Sequence, residues 1–181
     1  MATIREKMLS FRHICYKNGY LFAAFLIPVA IMCIAYITFG IFPFGERSVL
    51  ALDLNAQYVF YYDYVHDVIG NGESLMYSWS RNLSGEFMGI IGYYLASPFS
   101  LIVWLFPRSM ITEGLLAMML AKFGTCGVTF ALFAHKSQKL EKKTAALFAP
   151  MYALCAYMIV QTMNPMWLDC VIALPLVCWG I

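Results

Sequence analysis

Residues 20–42 read YLFAAFLIPVAIMCIAYITFGIF, a run of twenty-three positions without a charged residue. An α-helix needs about 20 predominantly apolar residues to cross the hydrocarbon layer of a bilayer. The run is too long for the apolar segment of a cleaved signal peptide. Pro43-Phe44-Gly45-Glu46-Arg47 follows it where a small-residue cleavage site would stand. The fold class follows from this stretch: an all-α, polytopic transmembrane helical bundle.

Composition agrees. Hydrophobic residues make up 62 % of the chain and charged residues 12 %. Globular domains carry roughly 45–50 % apolar and 25 % charged residues, so this chain cannot cover a water-soluble surface. A net charge of +2 without a basic aromatic stripe excludes nucleic-acid binding as a partner class. The six cysteines (Cys15, Cys33, Cys126, Cys155, Cys170 and Cys178) are scattered and form no CxxC pair. They read as small packing residues.

Before the first span stand Arg5, Lys7, Arg12 and Lys17; after it, residues 43–86 hold six acids against Arg47 and Arg81. Within that acidic stretch Leu54, Tyr58, Tyr61, Tyr62, Val65, Val68 and Ile69 recur at helical spacing. The spacing predicts an amphipathic helix over 54–69 at the membrane surface, capped by Asp53 and stopped by Gly70-Asn71-Gly72. Its polar face carries Asn55, Gln57, Asp63, His66 and Asp67. Further apolar runs cover 88–106, 113–134 and 145–163, and another begins at Cys170 and reaches the last residue, Ile181. The chain is therefore expected to be a piece of a longer protein.

If every run crossed, the basic segment 135–144 and the basic N-terminus would lie on opposite sides. Lys/Arg-rich loops favour the cytoplasm, so one run is expected not to cross. Residues 88–106, interrupted by Gly89, Gly92 and Pro98, are the weakest span and read as a juxtamembrane or re-entrant segment. The expected topology is a cytoplasmic 1–19, spans at 20–42, 113–134 and 145–163, and outer loops at 43–112 and 164–169. The cell membrane is the expected location and the lipid bilayer the first partner.

Several residues can carry chemistry at the outer face. Asp53 and Asp169 are carboxylates that could share a cleft, one as base and one as a metal ligand or acceptor positioner. The plainer readings are a helix cap for Asp53 and a solvated loop acid for Asp169. Lys122 is the only charge inside the apolar run Gly114 to Ala134, and the other complete spans hold none; it is placed roughly 12 Å deep at 1.5 Å per residue. It reads either as a cation for a lipid-linked phosphate or as half of a structural ion pair. Arg47 and Arg81 can hold a phosphate through two parallel hydrogen bonds. Gln57, Tyr58 and Trp167 are candidate substrate contacts. The tyrosines at 58, 61, 62 and 64 read first as an interfacial belt, and Trp167 equally as an anchor. Asp63 and Asp67 lack a third ligand type, and His66 reads as a solvated residue. Asn82-Leu83-Ser84 matches a glycosylation sequon at the level of chance. Gly124 and Gly127 read as sites of close helix packing.

Three blocks carry a resemblance. FGERSVLALDLNAQY at 44–58, LSG at 83–85 leading into GYYLASPF at 92–99, and NPMWLD at 164–169 occur in this order. They resemble the N-terminal signature of bacterial YfhO membrane proteins, a family similar in architecture to GT-C glycosyltransferases. The resemblance implies a polyprenyl-phosphate-linked sugar as donor and an envelope polymer such as lipoteichoic acid as acceptor, on the outer membrane face. It implies a catalytic base just after the first span, the position of Asp53, and a juxtamembrane segment before the second span. No DxD motif is present, which leaves a divalent metal open, and no nucleotide-binding loop appears. The expectation is thus a membrane glycosyltransferase, with a flippase for a lipid-linked precursor or an inactive membrane fragment as alternatives. Three and a half spans are expected not to enclose a lipid-sugar site by themselves.

Overall fold

The computed structural model describes residues 2–72, 74–79 and 85–181, with side chains from residue 18 onward. Helix α1, Ala2–Thr38, contains a span-length apolar stretch at Asn18–Thr38. It stops short of residue 42 because Gly40 takes a left-handed φ of 63°. Around it, Gly40 N–H donates to Ile37 (3.1 Å) and Ile41 N–H to Tyr36 (2.9 Å). This double bond pattern satisfies the last carbonyls of a helix and needs a residue that tolerates positive φ. The chain then folds back on itself, with Arg47 N–H donating to Gly40 O at 3.0 Å.

A π-helical turn at Leu54–Tyr58 leads into α2, Val59–Asn71, which ends at the left-handed Gly72. Leu54, Tyr58, Tyr62, Val65 and Val68 are buried, so the helical periodicity does mark the inner face. Ile69 is 68 % exposed and lies outside it. Tyr58 and Tyr62 form no interfacial belt: both are buried (0 % and 1 % exposed). The physical reason is register, since they continue the Leu54 stripe inward. A short antiparallel pair follows, β1 (Tyr77–Ser78) against β2 (Gly85–Glu86).

Residues 88–106 break into α3 (Met88–Ile90), a π-helical turn at Ile91–Leu95 and α4 (Ser100–Trp104). None of these pieces is long enough to cross a bilayer. The second long apolar helix is α5, Ile111–Lys136, whose apolar stretch begins at Arg108. It is the hub of the molecule, with α1, α4, α6 and α8 all packed on it. Against α1 the seam is closed by glycine. A Cβ on Gly124 would meet the Phe25 ring at 2.5 Å, and one on Gly127 would strike the Ala24 carbonyl oxygen. Small residues let helix backbones approach this closely.

The run 145–163 is not straight. Lys142–Ala153 (α6) and Ala156–Met163, which opens with α7 (Ala156–Val160), meet at a 47° bend. Helix α8 spans Pro165–Gly180, so it starts before the apolar run at 170. Proline lacks an N–H and has a preset φ, which suits the first helical position. Asp169 therefore belongs to a helix and not to a loop.

Candidate functional site

The site grows from Lys122, whose side chain is 1 % exposed in the middle of α5. Counting from Ile111 at 1.5 Å per residue, it lies about 16 Å below the start of that helix. Its ammonium donates to Ser97 Oγ at 3.2 Å, to Pro165 O at 3.0 Å and to Asp169 Oδ1. An ammonium has three protons, and three acceptors take them. The Phe99 ring lies on another side, 4.9 Å from Nζ to its centroid. Of the two readings of Lys122, the ion pair is the one formed. Asp169 keeps 30 % of its side chain exposed, so this pair is buried from one side only.

Those partners come from two of the three sequence blocks, 92–99 and 164–169. The remaining block arrives through Tyr58. Its ring packs edge-on against Tyr94, with centroids 5.2 Å apart. Its buried hydroxyl approaches the backbone of Met166 without closing a well-formed hydrogen bond. Burial pushes the Tyr58 phenol well above its ordinary range, and Tyr94, Tyr62 and Asp53 add to the effect. One turn further along α2, Tyr62 Oη and Ser100 Oγ are 2.7 Å apart, and Tyr62 also donates to Met118 Sδ at 3.6 Å. Desolvation is the main cause that lifts the Tyr62 phenol to about 12, with Asp169 contributing in the same direction.

Asp53 is half-buried and close enough to Tyr58 to act on its phenol. It occupies the cap position of the turn that opens α2, yet its side chain makes no capping hydrogen bond. The carbonyl of Leu52 receives Asn55 N–H (3.1 Å) and Ala56 N–H (2.9 Å) instead. Leu52 itself sits at a φ of 46°, a left-handed conformation that a branched side chain adopts only where the surroundings impose it. Among the described residues Asp53 forms no ion pair. The cap reading is not the role it plays.

The remaining candidates separate. Arg47 is exposed and lines an open cleft of about 450 Å³ at the end of α1, with Thr38 and Glu46. Gln57 is half-buried and Trp167 is 41 % exposed. Arg81, the sequon at 82–84 and the start of the LSG block lie outside the described residues. His66 is half-buried, not a freely solvated side chain: its Nε2 is buried and has no partner among the described residues.

Arg108 carries no role in the sequence reading, although it is the only base between Arg81 and Lys122. Its guanidinium donates to both oxygens of Asp63, at 2.5 and 2.7 Å, and to Asp67. The two acids four apart on α2 are thus joined to the start of α5. Beside them opens a cleft of about 220 Å³ walled by Tyr61, Tyr64, Phe87 and Ile90, with Asp63 and Asp67 at its rim. Among the described residues no three His, Cys, Asp or Glu side chains come together as metal ligands.

No match was found among curated proteins or among solved structures. The family model described as bacterial membrane protein YfhO matches residues 23–181, nearly the whole chain and all three sequence blocks, and the chain belongs to that family.

Proposed function

We propose that this protein is a membrane glycosyltransferase of GT-C type, which moves a sugar from a polyprenyl-phosphate donor to an envelope polymer such as lipoteichoic acid on the outer face. The observation that carries the reading is Asp53. It is a carboxylate beyond the end of α1 that neither caps its helix nor pairs with a cation among the described residues. A base must have a free lone pair within reach of its proton. Asp53 takes the proton of the acceptor hydroxyl as that oxygen bonds to the anomeric carbon. The bond from this carbon to the lipid phosphate oxygen breaks, and the phosphate leaves with the electron pair. Its charge is met by Arg47, with Arg81 as a second cation, since fixed charges at a developing anion lower the barrier. Gln57 and Trp167 contact the sugar and its acceptor. The aromatic cleft at Tyr61, Tyr64 and Phe87 offers ring faces to the polymer.

Lys122 has no proton left for a donor phosphate while Ser97, Pro165 and Asp169 hold it. It acts as a positioning residue that, with Asp169, ties the 92–99 and 164–169 blocks together, while Tyr58 packs on Tyr94 of the first of them. The outward orientation of Asp53 rests on the basic segments taking the cytoplasmic side.

Asp53→Asn is expected to abolish sugar addition to the envelope polymer in cells, with the amount of protein in the membrane unchanged. Wild-type glycosylation in that variant removes Asp53 from the reaction. A buried ion pair in mid-helix also suits a flippase for a lipid-linked precursor. Sugar transfer by detergent-solubilised protein separates the two, because a flippase does no work without two compartments.

A further inference from the structure

At the opposite end of the molecule lies a groove of about 1050 Å³ between the start of the α1 span and α6, closed by the turn that joins α5 to α6. Its outer rim carries Lys139, Lys142 and Lys143 against a single acid, Glu141. Its inner wall is apolar, formed by Ile27 and Leu147, which are 37 % and 67 % exposed. The groove thus passes from cationic to apolar along the direction in which a bilayer passes from headgroup to acyl chain. Tyr20, near the first residue of the Asn18–Thr38 stretch, sets this rim at the membrane–water boundary.

The rim is held in place. His135 Nδ1 lies 2.8 Å from Leu140 O, and Tyr20 packs edge-on against His135 at 5.3 Å. Lys139 Nζ donates to Lys136 O at 2.9 Å, and Lys142 Nζ stands 5.6 Å from the Tyr20 ring centroid. Lys139 has a φ of 59°, a conformation that glycine or asparagine adopts at lower cost. Fold stability alone therefore gives no reason for a lysine at that position. Two lysines also occupy the first turn of α6, where the macrodipole favours negative charge, with Glu141 at the cap position as the one acid there. Lys143 is exposed and forms no ion pair among the described residues.

We infer that this groove binds an anionic glycerophospholipid of the leaflet on the basic side, its phosphate between Lys139 and Lys143 and an acyl chain along Ile27 and Leu147. Basic pockets between membrane helices recognise such headgroups by charge, and the apolar wall distinguishes a lipid from a free anion. The inference is independent of the glycosyltransferase reading.

The test uses the full chain in nanodiscs of equal phosphatidylglycerol and phosphatidylcholine, transferred to detergent, with retained lipid counted by native mass spectrometry. The wild type is expected to retain phosphatidylglycerol selectively. Lys139→Gln and Lys143→Gln should each lower the selectivity about fivefold, while Lys136→Gln, outside the groove, should leave it unchanged. Leu147→Trp, which fills the apolar wall and keeps every charge, should lower retention without shifting the unfolding midpoint. Equal retention of both lipids overturns the inference. An effect of Lys136→Gln equal to that of Lys143→Gln overturns it in favour of diffuse attraction. Full displacement by inorganic phosphate, with Leu147→Trp silent, overturns it in favour of a free-anion site.

Discussion

Lys122 directs its three ammonium protons to acceptors from two distant segments, so its charge is tolerable only while those segments stay in place. Removing one partner of a buried pair leaves an uncompensated charge, whereas replacing both with apolar groups is often neutral. Asp169→Leu is accordingly expected to destabilise the protein by about 3 kcal/mol, measured by reversible unfolding in mixed micelles. The double variant Lys122→Met with Asp169→Leu should recover most of that loss. Strict additivity of the two single changes would show that the pair is not coupled. The sequence made the ion pair one of two readings of Lys122 but could not name its partner, which is 47 residues away. Asp53 shows the reverse case. Its place after the first span was legible, and its missing cap bond was not, because the choice between Asp53 and the Leu52 carbonyl is made by backbone geometry. The role of Arg108 is not legible in the sequence, because its partners on α2 come within reach only once α2 and the start of α5 pack together.

Helices α1 and α5 are joined along a glycine seam that the spacing of Gly124 and Gly127 already suggested. Gly127→Ala drives a methyl group into the Ala24 carbonyl of α1, a backbone atom that cannot rotate away. A cost of about 1–3 kcal/mol is expected, the range for overpacking a filled interior. Gly70→Ala in α2 should act in the opposite sense, because nothing lies within 4 Å of its Cβ position. There, alanine restricts the unfolded chain and is expected to stabilise by up to about 1 kcal/mol. Thermal unfolding of both variants checks the contrast, and a neutral Gly127→Ala would contradict the close approach. Hydropathy also located the long apolar runs, since these depend on residue content alone. It did not reveal the 47° bend after Ala153 or the start of α8 at Pro165. Those depend on local hydrogen bonding and on what packs beside the chain. The burial of Tyr58 and Tyr62 was hidden for a related reason: the same aromatic periodicity serves a membrane interface and a protein interior.

The molecule has one basic end and one acidic end. Tyr20 touches His135, and Lys142 lies over Tyr20, so the start of the α1 span and the basic turn after α5 sit together. At the other end, α2, α4 and the start of α8 gather around the upper half of α5. The separation of the two ends was readable from the charge pattern, because Lys/Arg-rich segments on one side leave an even number of crossings between them. The convergence of the three family blocks was not, since order along a sequence says nothing about distance in space. The claim on which the account rests is that the Asp53 end faces outward. Single cysteines introduced by Ala51→Cys and Lys139→Cys in an otherwise cysteine-free protein, treated in intact cells with a membrane-impermeant maleimide, test it most directly. Labelling at position 51 and protection at 139 until the membrane is permeabilised are expected. Labelling at 139 in intact cells, with 51 protected, would contradict it.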